Sequence, residues 1–233
     1  MEKAYKNVAF FFILILGFVI WGFYRTYFGL FPSFTGITTV QHFHGAMMLS
    51  WFALLIVQPF LIRAHKYELH KKIGKISYVV VPLLLFSIFL ISKASYNKLA
   101  AILPKEQSIG SIALNIPNLF AFATLYILAM VNRKNSASHM RYIIGTSLLL
   151  ISPGIGRAFI IYGGMPFTQG VNYALFITEM VAAGLIVYDF IKANSVNPYV
   201  ITLLIIIAVH LIFHFQSAGW WQAFGGKFAQ LFF

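Results

Sequence analysis

The sequence predicts an all-α, polytopic membrane protein: a bundle of seven transmembrane helices in one domain, with the N-terminus cytoplasmic and the C-terminus outside. Three observations carry this. The composition is 60% hydrophobic and only 9% charged over 233 residues, with a mean hydropathy of +0.83, which is too apolar for a water-soluble domain. Apolar runs near the ~20 residues that cross a bilayer recur along the whole chain, separated by short polar connections. Lysine and arginine fall unequally on alternate sides of those runs.

The expected spans are about 8–26, 41–62, 75–95, 112–131, 140–162, 172–191 and 198–217. The first follows Lys3 and Lys6 and leads into aromatic residues without a small-residue cleavage site, so it reads as a retained helix. The second opens on His42 and His44. The third and fifth open on the related stretches HKKIGK and HMRYIIG. In the fifth, Pro153, Gly154 and Gly156 predict a loosened backbone just before Arg157. In the fourth, Pro117 predicts freed backbone groups served by Asn115 and Asn118. The tail 218–233 is too short and glycine-broken to span again, and is expected to lie along the outer interface with its aromatic side chains inserted.

One side of the spans carries Lys3, Lys6, Arg63, Lys66, Lys71, Lys72, Lys75, Arg133, Lys134, Arg141 and Lys192; the other carries Arg25, Lys93, Lys98, Lys105 and Lys227. By the positive-inside rule the first side is cytoplasmic, giving a multi-pass protein of the cell's inner (cytoplasmic) membrane. Trp21, Tyr24 and Tyr27 after the first span and Trp220, Trp221 and Phe224 after the last form the matching outer aromatic belt. The net charge of +12 is therefore topological, and nucleic-acid binding is excluded as a function class. With no cysteine there is no disulfide, thiolate metal site, iron–sulfur cluster or covalently attached c-type haem. The lipid bilayer is the expected partner, with a quinone or redox protein as a further one.

Ionisable residues inside spans mark function. Converted to depth at 1.5 Å per residue, His42 and His44 lie at the outer boundary. His210 and His214 lie roughly 18 and 24 Å along a ~30 Å core, four residues apart on one helix face. Arg157 and Glu179 reach the same outer half and are expected to form an ion pair. His44 rather than His42 is expected to face the bundle, because Gly45 beside it permits close helix approach. On the cytoplasmic side His65, His70 and His139 sit in basic loops, where they can bond loop carbonyls or lipid phosphates, or form a second ligand site.

Further residues carry a resemblance. His44 followed by Gln58, then His70-x-x-x-Gly74-x-x-x-Tyr78, then His139-x-Arg141 with Arg157 near the far end of the same helix, resembles an uncharacterised family of bacterial predicted integral membrane proteins. That family, a domain of unknown function, has a His-Arg-Arg-x-Gly loop and a later His-Arg-Arg-Trp-Met helix start. The likeness covers about 40–160, with Lys71 and Lys72 in place of the arginines and Tyr142 and Ile143 in place of Trp-Met. It implies architecture and marks His44, His70, His139, Arg141 and Arg157, but names no reaction. The His-x-x-x-Gly loop is also similar to one in ferric-reductase-like cytochromes, although Leu83 to Phe86 stand where a haem-ligating histidine belongs. The seven-span plan with an early histidine and a final His-x-x-x-His is similar to the zinc-dependent ceramidase and adiponectin-receptor superfamily, without the serine and aspartate expected beside the early histidine.

Three functions follow as expectations. A b-type haem for electron transfer would take His44 and His210 or His214 as axial ligands, with Arg157 beside a propionate. A zinc-dependent hydrolase of lipid amides or esters would use His44, His210 and His214 as metal ligands, with Glu179 as base. A non-enzymatic site for a small molecule, quinone or proton, in a transporter or accessory subunit, would use the same polar layer.

Overall fold

A computed structural model describes residues 6–233; Lys3, used in the charge count, lies outside them. All regular structure among these residues is helical. In chain order the helices are α1 (Val8–Phe23), α2 (Thr39–Arg63), α3 (Tyr67–Gly74), α4 (Ser77–Ala100), α5 (Lys105–Gly110), α6 (Ile112–Val131), α7 (Ser136–Leu148), α8 (Ile151–Ile161), α9 (Phe167–Ile191), α10 (Asn197–His214) and α11 (Gly219–Phe232). Across their short joints these give six helical stretches long and apolar enough to cross a membrane: Thr39–Arg63, Tyr67–Ala100, Lys105–Val131, Ser136–Ile161, Phe167–Ile191 and Asn197–His214. The 16 residues of α1 rise only about 24 Å, short of a ~30 Å core, so α1 does not qualify by length.

Local chemistry explains where several elements begin. Thr38 and Gln41 form a capping box: Thr38 Oγ1 accepts from the Gln41 N–H at 3.3 Å, and Gln41 Oε1 accepts from the Thr38 N–H at 2.8 Å. This starts α2 two residues ahead of the expected Gln41. Asn135 Oδ1 accepts from the Ser138 N–H at 3.2 Å and opens α7. The fifth span breaks at Leu149–Leu150 rather than just before Arg157, because a proline ring clashes with the carbonyl four residues upstream and Pro153 faces Leu149 in that register. By contrast α6 runs unbroken through Pro117, and Asn118 Oδ1 is buried without a hydrogen-bond partner rather than serving the backbone.

The helices close into a ring. Going round it, α1 packs on α2, α2 on α4, α4 on α6, α6 on α10, α10 on α9, α9 on α8, and α8 back on α1. Inside the half nearest the basic loops stands α7, touching α6, α9 and α10, so the stretch 136–161 is the most buried of the six. Beyond the break, α8 becomes part of the wall between α1 and α9.

Glycine sets that wall. A Cβ on Gly22 of α1 would overlap the Gly154 carbonyl oxygen, and one on Gly154 would lie 2.9 Å from the Phe18 carbonyl oxygen. On the other side, a Cβ on Gly170 would lie 3.3 Å from the Gly156 carbonyl oxygen. Between helices in lipid, where burial of apolar surface gives little drive, such backbone approach is the main source of packing energy.

The tail is not glycine-broken. It forms α11, which docks on α5 and α6 with Trp221 buried and its indole N–H donating to the Ile109 carbonyl at 3.3 Å. Gly225 is there for packing, since a Cβ would lie 2.8 Å from Ile109 Cγ2. Phe233 reaches Phe89 and Tyr96 of α4, and Lys93 Nζ donates to the Phe232 carbonyl at 2.8 Å.

Candidate functional site

The polar layer predicted from sequence resolves into separate clusters, each held by a neighbouring helix. His210 on α10 faces α9: its Nδ1 lies 2.7 Å from Glu179 Oε1 and its Nε2 lies 3.1 Å from Asn172 Oδ1. Asn172 Nδ2 donates to the Thr168 carbonyl at 2.8 Å, which fixes the amide with its oxygen toward the imidazole. Nε2 must therefore carry hydrogen. One further proton is then shared between Nδ1 and the carboxylate, whichever atom holds it. Both side chains keep about a fifth of their surface open, 20% for His210 and 17% for Glu179.

His44 on α2 faces α4. Ser87 Oγ donates to the Leu84 carbonyl at 2.7 Å, so His44 Nδ1, 3.0 Å from that oxygen, is the donor to it. This leaves Nε2 with its lone pair. His42, 200° round the helix, turns away as expected. Its Nδ1 meets the Tyr27 hydroxyl at 2.9 Å, and its ring packs on Phe34 at 4.9 Å. The neighbouring Gly45 seats Tyr27 rather than another helix: a Cβ there would lie 3.1 Å from the Tyr27 hydroxyl oxygen.

The expected ion pair between Arg157 and Glu179 is not formed. Glu179 is taken by His210, while Arg157 Cζ sits 4.4 Å over the ring of Phe23 on α1. The cause is the rotation of α8, which the glycine contacts of Gly154 and Gly156 fix. Arg157 is exposed and has no carboxylate partner among the described residues. His214, the last residue of α10, is exposed and packs edge-on against Phe215 at 4.9 Å.

His44, His210 and His214 are thus not gathered. α2 packs on α1, α3 and α4, whereas α10 packs on α6, α7 and α9. Among the described residues no group of three or more His, Asp or Glu side chains surrounds one metal position.

At the basic end, Gln58 of α2 spans the first turns after the α2–α3 loop. With its amide turned to satisfy both ends, it donates to His70 Nδ1, and its oxygen accepts from the Gly74 N–H at 3.0 Å. His139 Nδ1 meets the Ala129 carbonyl at 2.8 Å, tying α7 to α6. His65 Nδ1 lies 3.1 Å from the Tyr67 hydroxyl. His70 and His139 therefore fasten the helix starts at this end to neighbouring helices.

Arg141 has a partner that sequence reasoning missed. Its Nε donates to Asp189 Oδ2 at 2.6 Å and its Nη2 to Oδ1 at 3.1 Å, both fully buried, and its Nη1 donates to the Ala137 carbonyl at 3.0 Å. Asn194 Nδ2 adds a bond to Asp189 Oδ1 at 3.0 Å. A signal was present: Asp189 lies inside the expected span 172–191, and an acid there requires a partner.

Comparison with protein-family models, curated proteins and solved structures finds no match to this chain.

Proposed function

We propose that this chain is a seven-span protein of the cytoplasmic membrane that, without enzymatic turnover, binds a small anion at Arg157 and carries a separate proton site at Glu179–His210 in the outer half of the bundle. The basic end is the cytoplasmic one. Arg141 is buried and drops out of the topological count, yet the remaining cations of that end still outnumber Arg25, Lys93, Lys98, Lys105 and Lys227.

The observation that carries the reading is the chain Glu179–His210–Asn172, a carboxylate and an imidazole 2.7 Å apart with one shared proton, partly open, inside two spans. An ionisable pair within membrane spans is a functional-site candidate by default, and proton relays are one of its uses. Arg157 supplies an exposed positive charge lacking an internal counter-charge among the described residues, which a carboxylate or phosphate would complete. His210 has both ring nitrogens engaged, so the anion and proton reading needs no rearrangement of it.

The test is thermal unfolding of the detergent-purified protein from pH 5 to 8 with acetate, inorganic phosphate or a short-chain quinone. Saturating ligand at a hundredfold its Kd stabilises by about 2.7 kcal/mol. Acetate or phosphate is expected to raise the transition, Arg157→Ala to abolish the rise, and Glu179→Gln to change the pH dependence of the ligand-free transition. The reading fails if neither anion acts, or if both variants respond like the parent.

A second reading, b-type haem, is favoured by one observation: the free Nε2 lone pair of His44. Haem would supply one-electron chemistry, with His44 as ligand and Arg157 as propionate partner. A Soret band that disappears in His44→Ala would move the assignment there.

A further inference from the structure

The opposite end of the molecule carries a second site, independent of the outer polar layer. Between α4 and α6 lies a cleft of about 380 Å³, lined by Tyr78, Tyr126, Ile127, Val131, Arg133 and Lys134. It is shallow and largely open, a groove rather than an enclosed cavity. Its chemistry is divided along its length. At the basic end Arg133 Nη1 donates to the Tyr78 hydroxyl at 3.0 Å, which holds the guanidinium over the mouth, and Lys134 is exposed beside it.

Among the described residues no acid neutralises these cations. Glu68 pairs with Lys71, Glu179 with His210 and Asp189 with Arg141, and Glu106 opens α5 at the other end of the bundle. Beside the cations the α6 wall is apolar: Ile127, Met130 and Val131 line it, and Ile127 and Val131 are 58% and 75% exposed. A cationic mouth with hydroxyls, continuing into an apolar groove that opens to lipid, matches a phosphate joined to an acyl chain.

We propose that the α4–α6 cleft binds an anionic phospholipid of the leaflet at the basic end, its phosphate on Arg133 and Lys134 and an acyl chain along the apolar α6 wall. A surface attraction alone would be shared by every cation of this end, whereas the cleft makes the demand local.

The test is native mass spectrometry of the intact protein in detergent, titrated with phosphatidylglycerol or with phosphatidylcholine of the same acyl chains. Phosphatidylglycerol is expected to be retained about tenfold or more tightly, and the double variant Arg133→Ala/Lys134→Ala to remove that preference. Val131→Trp, which keeps both charges and fills the cleft from an exposed position, is expected to weaken retention as well; Lys192→Ala, also at the basic end, is expected to leave it unchanged. Equal retention of the two lipids, or loss in Lys192→Ala as large as in the double variant, would overturn the proposal. So would inorganic phosphate displacing the lipid at equal concentration, since the site would then be one for free phosphate.

Discussion

At the scale of single residues, Arg141 and Asp189 are the most consequential pair for stability. A bidentate ion pair fully withdrawn from solvent repays the desolvation of both ions only while both are present. Arg141→Ala leaves the Asp189 carboxylate buried with Asn194 as a remaining partner, and Asp189→Ala leaves the buried guanidinium without its counter-charge, the Ala137 carbonyl still accepting from it. Each is expected to cost about 3–5 kcal/mol. An apolar replacement of similar volume, Arg141→Met/Asp189→Leu, removes both charges and is expected to recover most of that loss. The measurement is the unfolding midpoint of the three variants in one detergent; a double variant as unstable as the worse single one would show that the pair does more than neutralise itself. Asp189 was legible as an acid needing a partner, but Arg141 reads in sequence as a loop cation because it stands two residues from His139 at a helix start. Only the third dimension shows that α7 carries it inside the ring.

Among the elements, α8 decides what the polar layer looks like. Its rotation is fixed by two glycine contacts, Gly154 against Gly22 and Gly156 against Gly170, and that rotation sends Arg157 to Phe23 instead of Glu179. Restoring a side chain at either end of the first contact therefore has a predictable effect. Gly22→Ala or Gly154→Ala must push α1 and α8 apart, because the obstructing atoms are backbone and cannot rotate away. Overpacking of this kind costs about 1–3 kcal/mol. Both variants are expected to lower the unfolding midpoint, while Gly184→Ala, where a Cβ meets nothing within 4 Å, is expected to leave it unchanged or slightly higher. Equal midpoints for Gly22→Ala and Gly184→Ala would refute the close approach. The same glycine ambiguity limited the reading of the tail: Gly225 and Gly226 look like helix breakers in sequence, yet α11 is continuous because Gly225 makes room for Ile109. Periodicity and length located the elements well, with α6 falling on the expected 112–131, since both follow from hydropathy alone. Which face each helix turns inward depends on partners far away in sequence, and that is why His44 and His210 were expected to share a centre.

For the whole molecule the open structural quantity is how many times the chain crosses the membrane. Six helical stretches meet the length criterion and α1 does not, but α1 is packed between α2 and α8 and its far end is fastened to the far end of α8. Trp21 stacks on Tyr162 at 5.6 Å, the Tyr162 hydroxyl donates to the Trp21 carbonyl at 3.1 Å, and Arg25 lies 4.9 Å over the Tyr162 ring. A helix held in register with two spanning neighbours shares their depth, and a hydrophobic stretch a few ångströms short is accommodated by local thinning of the bilayer. Seven crossings put Lys6 and Ser195 on the cytoplasmic side and Ser33 outside. The absence of native cysteine makes this directly measurable, because each introduced thiol is the only one present. In intact cells a membrane-impermeant maleimide is expected to label Ser33→Cys, and to label Lys6→Cys and Ser195→Cys only after permeabilisation. Labelling of Lys6→Cys together with Ser33→Cys from outside would mean that α1 does not cross and that the bundle has six spans. Labelling of Lys6→Cys and Ser195→Cys but not Ser33→Cys would invert the molecule, placing the Glu179–His210 pair toward the cytoplasm and the α4–α6 cleft in the outer leaflet.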